Sequence, residues 1–139
     1  MSEQTQTVRD AMVPEPTMLA DAASAQEAGQ LLAENPEVRA IFVCGASGVL
    51  VGVITRKTLV REVVATGRDP KAVRLDEIAE PPIYTLDAGL PLDEAFHTLE
   101  EHDFERVPVV EQGRLVGVLS RAVVQRRLAE DEPPDPETA

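Results

Sequence analysis

A chain of 139 residues fits one compact domain or two half-domains, and its 43% hydrophobic content is ample for burial. Its formal net charge of −12, from 25 acids against 13 Lys and Arg, argues against a nucleic-acid surface, which is built from outward clusters of basic side chains. The polar start MSEQTQTVRD carries no apolar leader, and no run approaches the ~18 apolar residues of a membrane span, so the chain reads as a cytoplasmic protein without a membrane partner.

One pattern occurs twice: GVLVGVITRKTLVREVV starts at Gly48 and GRLVGVLSRAVVQRRLA at Gly113, with Gly52 and Gly117 at the same place in the frame. Each repeating unit is then roughly 65 residues, small for a core of its own, so two copies are expected to pack together. In chain order, TVRDAMV is a lead-in, and Met18 to Ala20 is extended. Ser24 and Glu27 have capping-box spacing and start a helix that Asn35-Pro36 stops. VRAIFVC (38–44) reads as a strand, Gly45 to Gly48 as a turn, and VLVGVIT as a second strand. TRKTLVREVVATG follows as a helix with Leu59, Val60, Val63 and Val64 inward. VRLDEIAE at 73–80 matches the front lead-in as a short helix. The second unit repeats the plan: Leu92, Ala95, Phe96 and Leu99 fall at i, i+3, i+4 and i+7, RVPVV and RLVGVLS are strands, and SRAVVQRRLAE is the closing helix. Pro108 within RVPVV fits an edge strand.

The order β-α-β-β-α, written twice, gives an α/β (α+β) fold with the first repeat and its lead-in at 7–66, a linker at 67–80, and the second repeat at 81–130. The segments MSEQTQ and EDEPPDPETA lack the large apolar residues that offset the entropy of ordering, and both read as disordered, the acidic tail at 131–139. With only Phe42, Phe96, Phe104 and Tyr84 as aromatics, the core must be aliphatic, and the lone Cys44 reads as a buried strand thiol.

This element order, the V-x-D-x-M lead-in, the R-V-P-V-V strand and the glycine-aliphatic-aliphatic-Ser/Thr ending before a helix together resemble a tandem pair of CBS domains, a Bateman module, over about residues 7 to 130. The resemblance implies a regulatory module in which two repeats pack about a pseudo-twofold axis. It also implies clefts that bind AMP, ADP, ATP or S-adenosylmethionine, and a homodimer acting on a partner protein whose identity the sequence does not give. Within that frame, Thr55 and Ser120 stand where the family touches phosphate, although both residue types are also the preferred N-caps of any helix. Three residues later the family has an Asp that grips both ribose hydroxyls; here stand Thr58, with one hydroxyl, and Val123, with no polar side-chain atom.

Arg56 and Arg121 sit in the first turn of their helices, where a cation opposes the helix dipole and an anion would relieve it; a solvated helix face is the other reading. Val107 and Pro108 lie where the family places contacts to the base. Tyr84 is either a base-stacking ring or a filler of a strand surface. His97 and His102 are five apart, which misses the i, i+4 spacing of a metal pair, and no nucleophile elbow, Walker or dinucleotide glycine motif is present, so neither metal site nor enzyme is expected. Two functions remain: a sensor of an adenosine-containing ligand, and a ligand-free dimerisation or protein-interaction module with degenerate clefts.

Overall fold

The computed structural model describes residues 6–14, 16–82 and 84–131. Of the two ends expected to be disordered, residues 1–5 and 132–139 lie outside the described residues, whereas the Gln6 carbonyl accepts the Leu92 N–H at 2.9 Å and Glu130 and Asp131 end a helix. The described residues form six α-helices and two sheets. The elements are α1 (Val8–Ala11), β1 (Val13–Pro14), β2 (Met18–Ala20), α2 (Ala25–Glu34), β3 (Ile41–Cys44), β4 (Leu50–Ile54) and α3 (Arg56–Leu59). They continue with α4 (Leu75–Ile78), β5 (Leu86–Asp87), α5 (Leu92–Glu101), β6 (Arg106–Glu111), β7 (Arg114–Ser120) and α6 (Arg121–Asp131). The β-α-β-β-α order holds twice, as β2-α2-β3-β4-α3 and β5-α5-β6-β7-α6.

In the first repeat, the Ser24 hydroxyl accepts the Glu27 N–H at 3.1 Å while the Glu27 carboxylate accepts the Ser24 N–H at 2.8 Å, so both ends of the capping box close. Asn35 ends α2 by donating its side-chain amide to the Leu31 carbonyl at 2.8 Å. Strand β3 is shorter than the hydrophobic run predicts: the Val38 N–H bonds back to the Asn35 carbonyl at 2.9 Å, so the turn after α2 holds that end of the run out of the sheet. β3 pairs in parallel with β2 and antiparallel with β4, with Ile41 opposite Ile54. Cys44 is buried there, and burial pushes its thiol pKa up, which keeps it protonated and unreactive.

The helix after β4 departs from the expected packing. α3 widens into a π turn over Val60–Val64, and this shifts the side-chain register. Val63 is buried and Leu59 half-buried, but Val60 and Val64 are 56% and 71% exposed, so only part of the aliphatic stripe faces inward.

The chain divides into two compact units that cross the sequence boundaries: residues 16–82 with 112–115, and residues 6–14 with 84–111 and 116–131. Lead-in helix α1 belongs with the second repeat, where Val8 and Ala11 join Leu92, Leu99, Val109 and Leu119 in one core. Its N–H groups at Val8 and Arg9 bond to the Leu90 and Ala88 carbonyls at 2.9 and 3.0 Å. Helix α4 does the same for the first repeat. Leu75 and Asp76 donate to the Ala23 and Asp21 carbonyls at 2.9 and 3.0 Å, and Val73, Leu75 and Ile78 enter a core with Leu32, Ile41 and Ile54. The stretch read as a linker therefore supplies core residues.

The repeated glycine belongs to the same device. The segment after α1 forms β1, which pairs with β7 so that Pro14 lies opposite Gly117. The segment after α4 bridges Glu80 to Val53, beside Gly52. A Cβ at Gly52 would stand 2.8 Å from the Glu80 carbonyl oxygen, and one at Gly117 2.8 Å from the Val13 carbonyl oxygen. Both glycines admit a crossing backbone. In the second unit the sheet order is β1-β7-β6-β5, so β6 is an interior strand and not the edge that Pro108 led one to expect. The proline is tolerated because β5 pairs only with Val109 and Val110, leaving Pro108 beyond its end.

Candidate functional site

The two strand-to-helix junctions are built alike and finished differently. β4 delivers Thr55 as the N-cap of α3, in extended conformation, where its hydroxyl accepts the Thr58 N–H at 3.2 Å. The Thr58 hydroxyl accepts the Thr55 N–H at 3.2 Å, and the two hydroxyl oxygens are 3.0 Å apart. Thr58 is only 1% exposed, so its one polar side-chain atom is turned into the cap. β7 delivers Ser120 ahead of α6, where the Ser120 hydroxyl accepts the Val123 N–H at 3.4 Å, and Val123 returns no bond.

The two arginines expected to face an anion are engaged inside their own units. Arg56 reaches back to the end of α2 and donates to the carbonyls of Val38 at 2.7 Å, Leu32 at 2.8 Å and Asn35 at 3.3 Å. It thereby satisfies carbonyls that a helix C-terminus leaves without intrahelical donors. Arg121 donates to the carboxylates of Asp103 at 3.2 Å and Glu105 at 2.5 Å, and its N–H bonds the Glu105 carbonyl at 2.9 Å. The hydrogen bond to Asp103 first, then the nearby charges, hold the Arg121 guanidinium above its ordinary pKa.

Val107 is buried in the core of its own unit and Pro108 is buried beside it, so neither presents a free face there. Tyr84 lies outside the strands, 41% exposed, with its ring centroid 5.6 Å from that of His102 and 5.8 Å from that of Phe104. It is part of a three-ring cluster, completed by a stacked His102–Phe104 pair at 5.3 Å. Thus Thr55, Arg56 and Thr58 come together in one unit, and Tyr84, Val107, Pro108, Ser120, Arg121 and Val123 belong to the other. The partners that the sequence reading missed are the carbonyls at the end of α2 and the acids Asp103 and Glu105. The acid-rich segment EEHDFER, just before β6, was the available signal for the second set.

The ribose grip expected of a CBS cleft needs a carboxylate three residues after the cap, and neither Thr58 nor Val123 supplies one. Among the described residues, no three His, Cys, Asp or Glu side chains converge to hold a metal ion. No helix is long and apolar enough to cross a membrane.

The CBS domain family model matches residues 8–65 and again 75–130. Hypoxic response protein 1 of Mycobacterium tuberculosis is 33% identical over 124 residues, covering 89% of this chain and 86% of that protein. A crystal structure of Hypoxic Response Protein I with two coordinated zinc ions superimposes with a TM-score of 0.73 at 32% identity, covering 88% of this chain and 98% of that one. CBSX2 in complex with AMP superimposes with a TM-score of 0.68 at 26% identity, covering 89% and 96%. With both repeats matched by the family model and the same element order present in each, the chain belongs to the CBS-domain family and carries two CBS domains in tandem.

Proposed function

We propose that this CBS pair is a cytoplasmic regulatory module that works by association with itself and with a partner protein, and that its adenosine-binding capacity is weak. The observation that carries the reading is the inward commitment of the ligand-facing groups. The Thr58 hydroxyl is buried in a cap, Arg56 holds helix carbonyls, Arg121 holds two carboxylates, and Val123 has nothing to offer a ribose. Titration calorimetry of the native protein with AMP, ATP and S-adenosylmethionine is expected to give dissociation constants no tighter than about 10⁻⁴ M, near 5.5 kcal/mol of binding. A submicromolar constant would overturn the reading. The second reading, an adenosine-ligand sensor, rests on the AMP-bound relative CBSX2, and Thr55 is then the better of the two junctions because Thr58 retains a hydroxyl.

Self-association is supported by the π turn. Val60 and Val64 stand exposed beside an apolar groove of about 500 Å³ whose walls include Ala25, Gly29, Leu59 and Val63. An apolar helix face of this kind is what a homodimer covers. The native chain is expected to sediment as a dimer at micromolar concentration, and the V60D/V64D double variant as the 15.1 kDa monomer. A native monomer in that range would refute the homodimer.

A further inference from the structure

We infer that the open edge of β5, together with the groove between that edge and α5, docks an extended basic segment of a partner protein. Strand order leaves β5 at the end of its four-stranded sheet, and its pairing with Val109 and Val110 uses one side only. The Ala88 N–H points to that paired side, bonding the Val110 carbonyl at 3.0 Å. Main-chain groups alternate along an extended chain, so those of Thr85 and the N–H of Asp87 point toward the open side, while the Asp87 carbonyl accepts the Leu90 N–H at 3.1 Å. The Thr85 main chain has no hydrogen-bond partner among the described residues. This is an unfilled place for one more strand.

The groove alongside, about 420 Å³, selects the occupant by charge. Glu94, His97 and Glu101 line it from one face of α5, Asp87 from the strand side, and Tyr84 adds an exposed ring. No Lys or Arg is among the lining residues, and the carboxylates of Glu94 and Glu101 have no hydrogen-bond or ion-pair partner among the described residues. Three carboxylates without a cation repel this chain's own C-terminal segment, since residues 132–139 carry Glu132, Asp135 and Glu137 and no base. They equally repel the same edge of a second copy in a protein of net charge −12. A lysine- or arginine-bearing strand meets both requirements: its main chain continues the sheet, and its side chains on one face reach the acids and the aromatic ring. Because β5 contributes only two paired residues, few main-chain bonds are available and the charge match carries the selectivity. The groove shares only Tyr84 with the residues considered for an adenosine ligand, so this inference does not depend on that ligand's being bound.

A fluorescein-labelled peptide alternating lysine with threonine, followed by anisotropy on the full chain at low ionic strength, tests it. Binding is expected, with none for the glutamate-threonine counterpart. The E94Q/E101Q double variant, altered at two exposed positions, is expected to bind about tenfold more weakly, as two surface charge pairs would dictate. The lysine peptide with alternate amides N-methylated keeps its charge but cannot extend a sheet, and should also lose about tenfold. No binding of the lysine peptide, equal binding of the methylated peptide, or unchanged binding by E94Q/E101Q protein would each overturn the inference.

Discussion

Gly52→Ala is expected to lower stability by about 2–3 kcal/mol, at the upper end of the cost of overpacking a filled site. The new Cβ would lie 2.8 Å from both the Ala79 Cβ and the Glu80 carbonyl oxygen. Neither can swing aside as a side chain end can: the oxygen belongs to the backbone that bridges to Val53, where N–H and carbonyl exchange bonds at 2.8 and 3.0 Å. Relief requires lifting the segment after α4, and with it the hold on Leu75 and Ile78, which are buried in the core of that unit. Gly117→Ala should behave similarly but less severely. One of its clashes, at 2.7 Å, is with the Met12 sulfur, the far part of a flexible side chain, while the 2.8 Å approach to the Val13 carbonyl remains. Gly29→Ala is the control. Its Cβ would meet only the Leu59 Cδ1, at 3.9 Å, and replacing a helical glycine by alanine should add up to about 1 kcal/mol. Urea midpoints of the three variants check the ranking, with Gly52→Ala displaced downward by roughly 1–2 M. A neutral Gly52→Ala would mean that the crossing backbone does not press on β4 as described.

That device also shows what a single sequence displays and what it hides. The caps and stripes are local, and they were legible. Ser24 and Glu27 close as their spacing requires, and Leu92, Ala95 and Leu99 are buried together on α5. The doubled L-V-G-V was visible as a repeat, but its cause was not, because the backbone that crosses Gly117 comes from the other end of the chain. The exchange of lead-ins was hidden for the same reason. Nothing in TVRDAMV says that Val8 completes the core around Leu92 and Leu119. Arg56 and Arg121 were read from their place in a helix, where an anion would suit them. Their actual partners lie 16 to 24 residues earlier and only the fold brings them within reach. The π turn was hidden by a stripe, Leu59 to Val64, that a regular helix and a widened one satisfy equally in sequence.

Thr58→Asp is expected to raise affinity for AMP by roughly 10²-fold over the native chain. A carboxylate holding both ribose hydroxyls makes two charge-assisted hydrogen bonds, each worth about 1.5–3 kcal/mol net. The local structure should accept the change. In three other caps of this chain the same position already carries an acid: Asp10, Glu27 and Glu77 accept the N-cap N–H of Thr7, Ser24 and Arg74 at 2.8, 2.8 and 3.0 Å. An Asp at 58 can take the bond that the Thr58 hydroxyl now takes from the Thr55 N–H, and a negative charge in the first helical turn is favoured by about 0.3–1 kcal/mol. Against this stands burial: Thr58 is 1% exposed, and a carboxylate closed off from water destabilises the fold unless its oxygens find donors. The thermal midpoint of Thr58→Asp should therefore fall without ligand and recover with AMP, because binding to the folded state alone stabilises it by mass action. Val123→Asp places its charge beside the Ser120 hydroxyl but on a half-buried aliphatic position whose side chain makes no polar contact to replace, and it is the poorer test. Calorimetry on folded native and Thr58→Asp protein tests why native binding is weak. Gain of AMP binding by the variant shows a cleft that lacks only its acid, in keeping with weak native binding, and a folded variant that still binds none shows a junction closed to adenosine by more than that one residue.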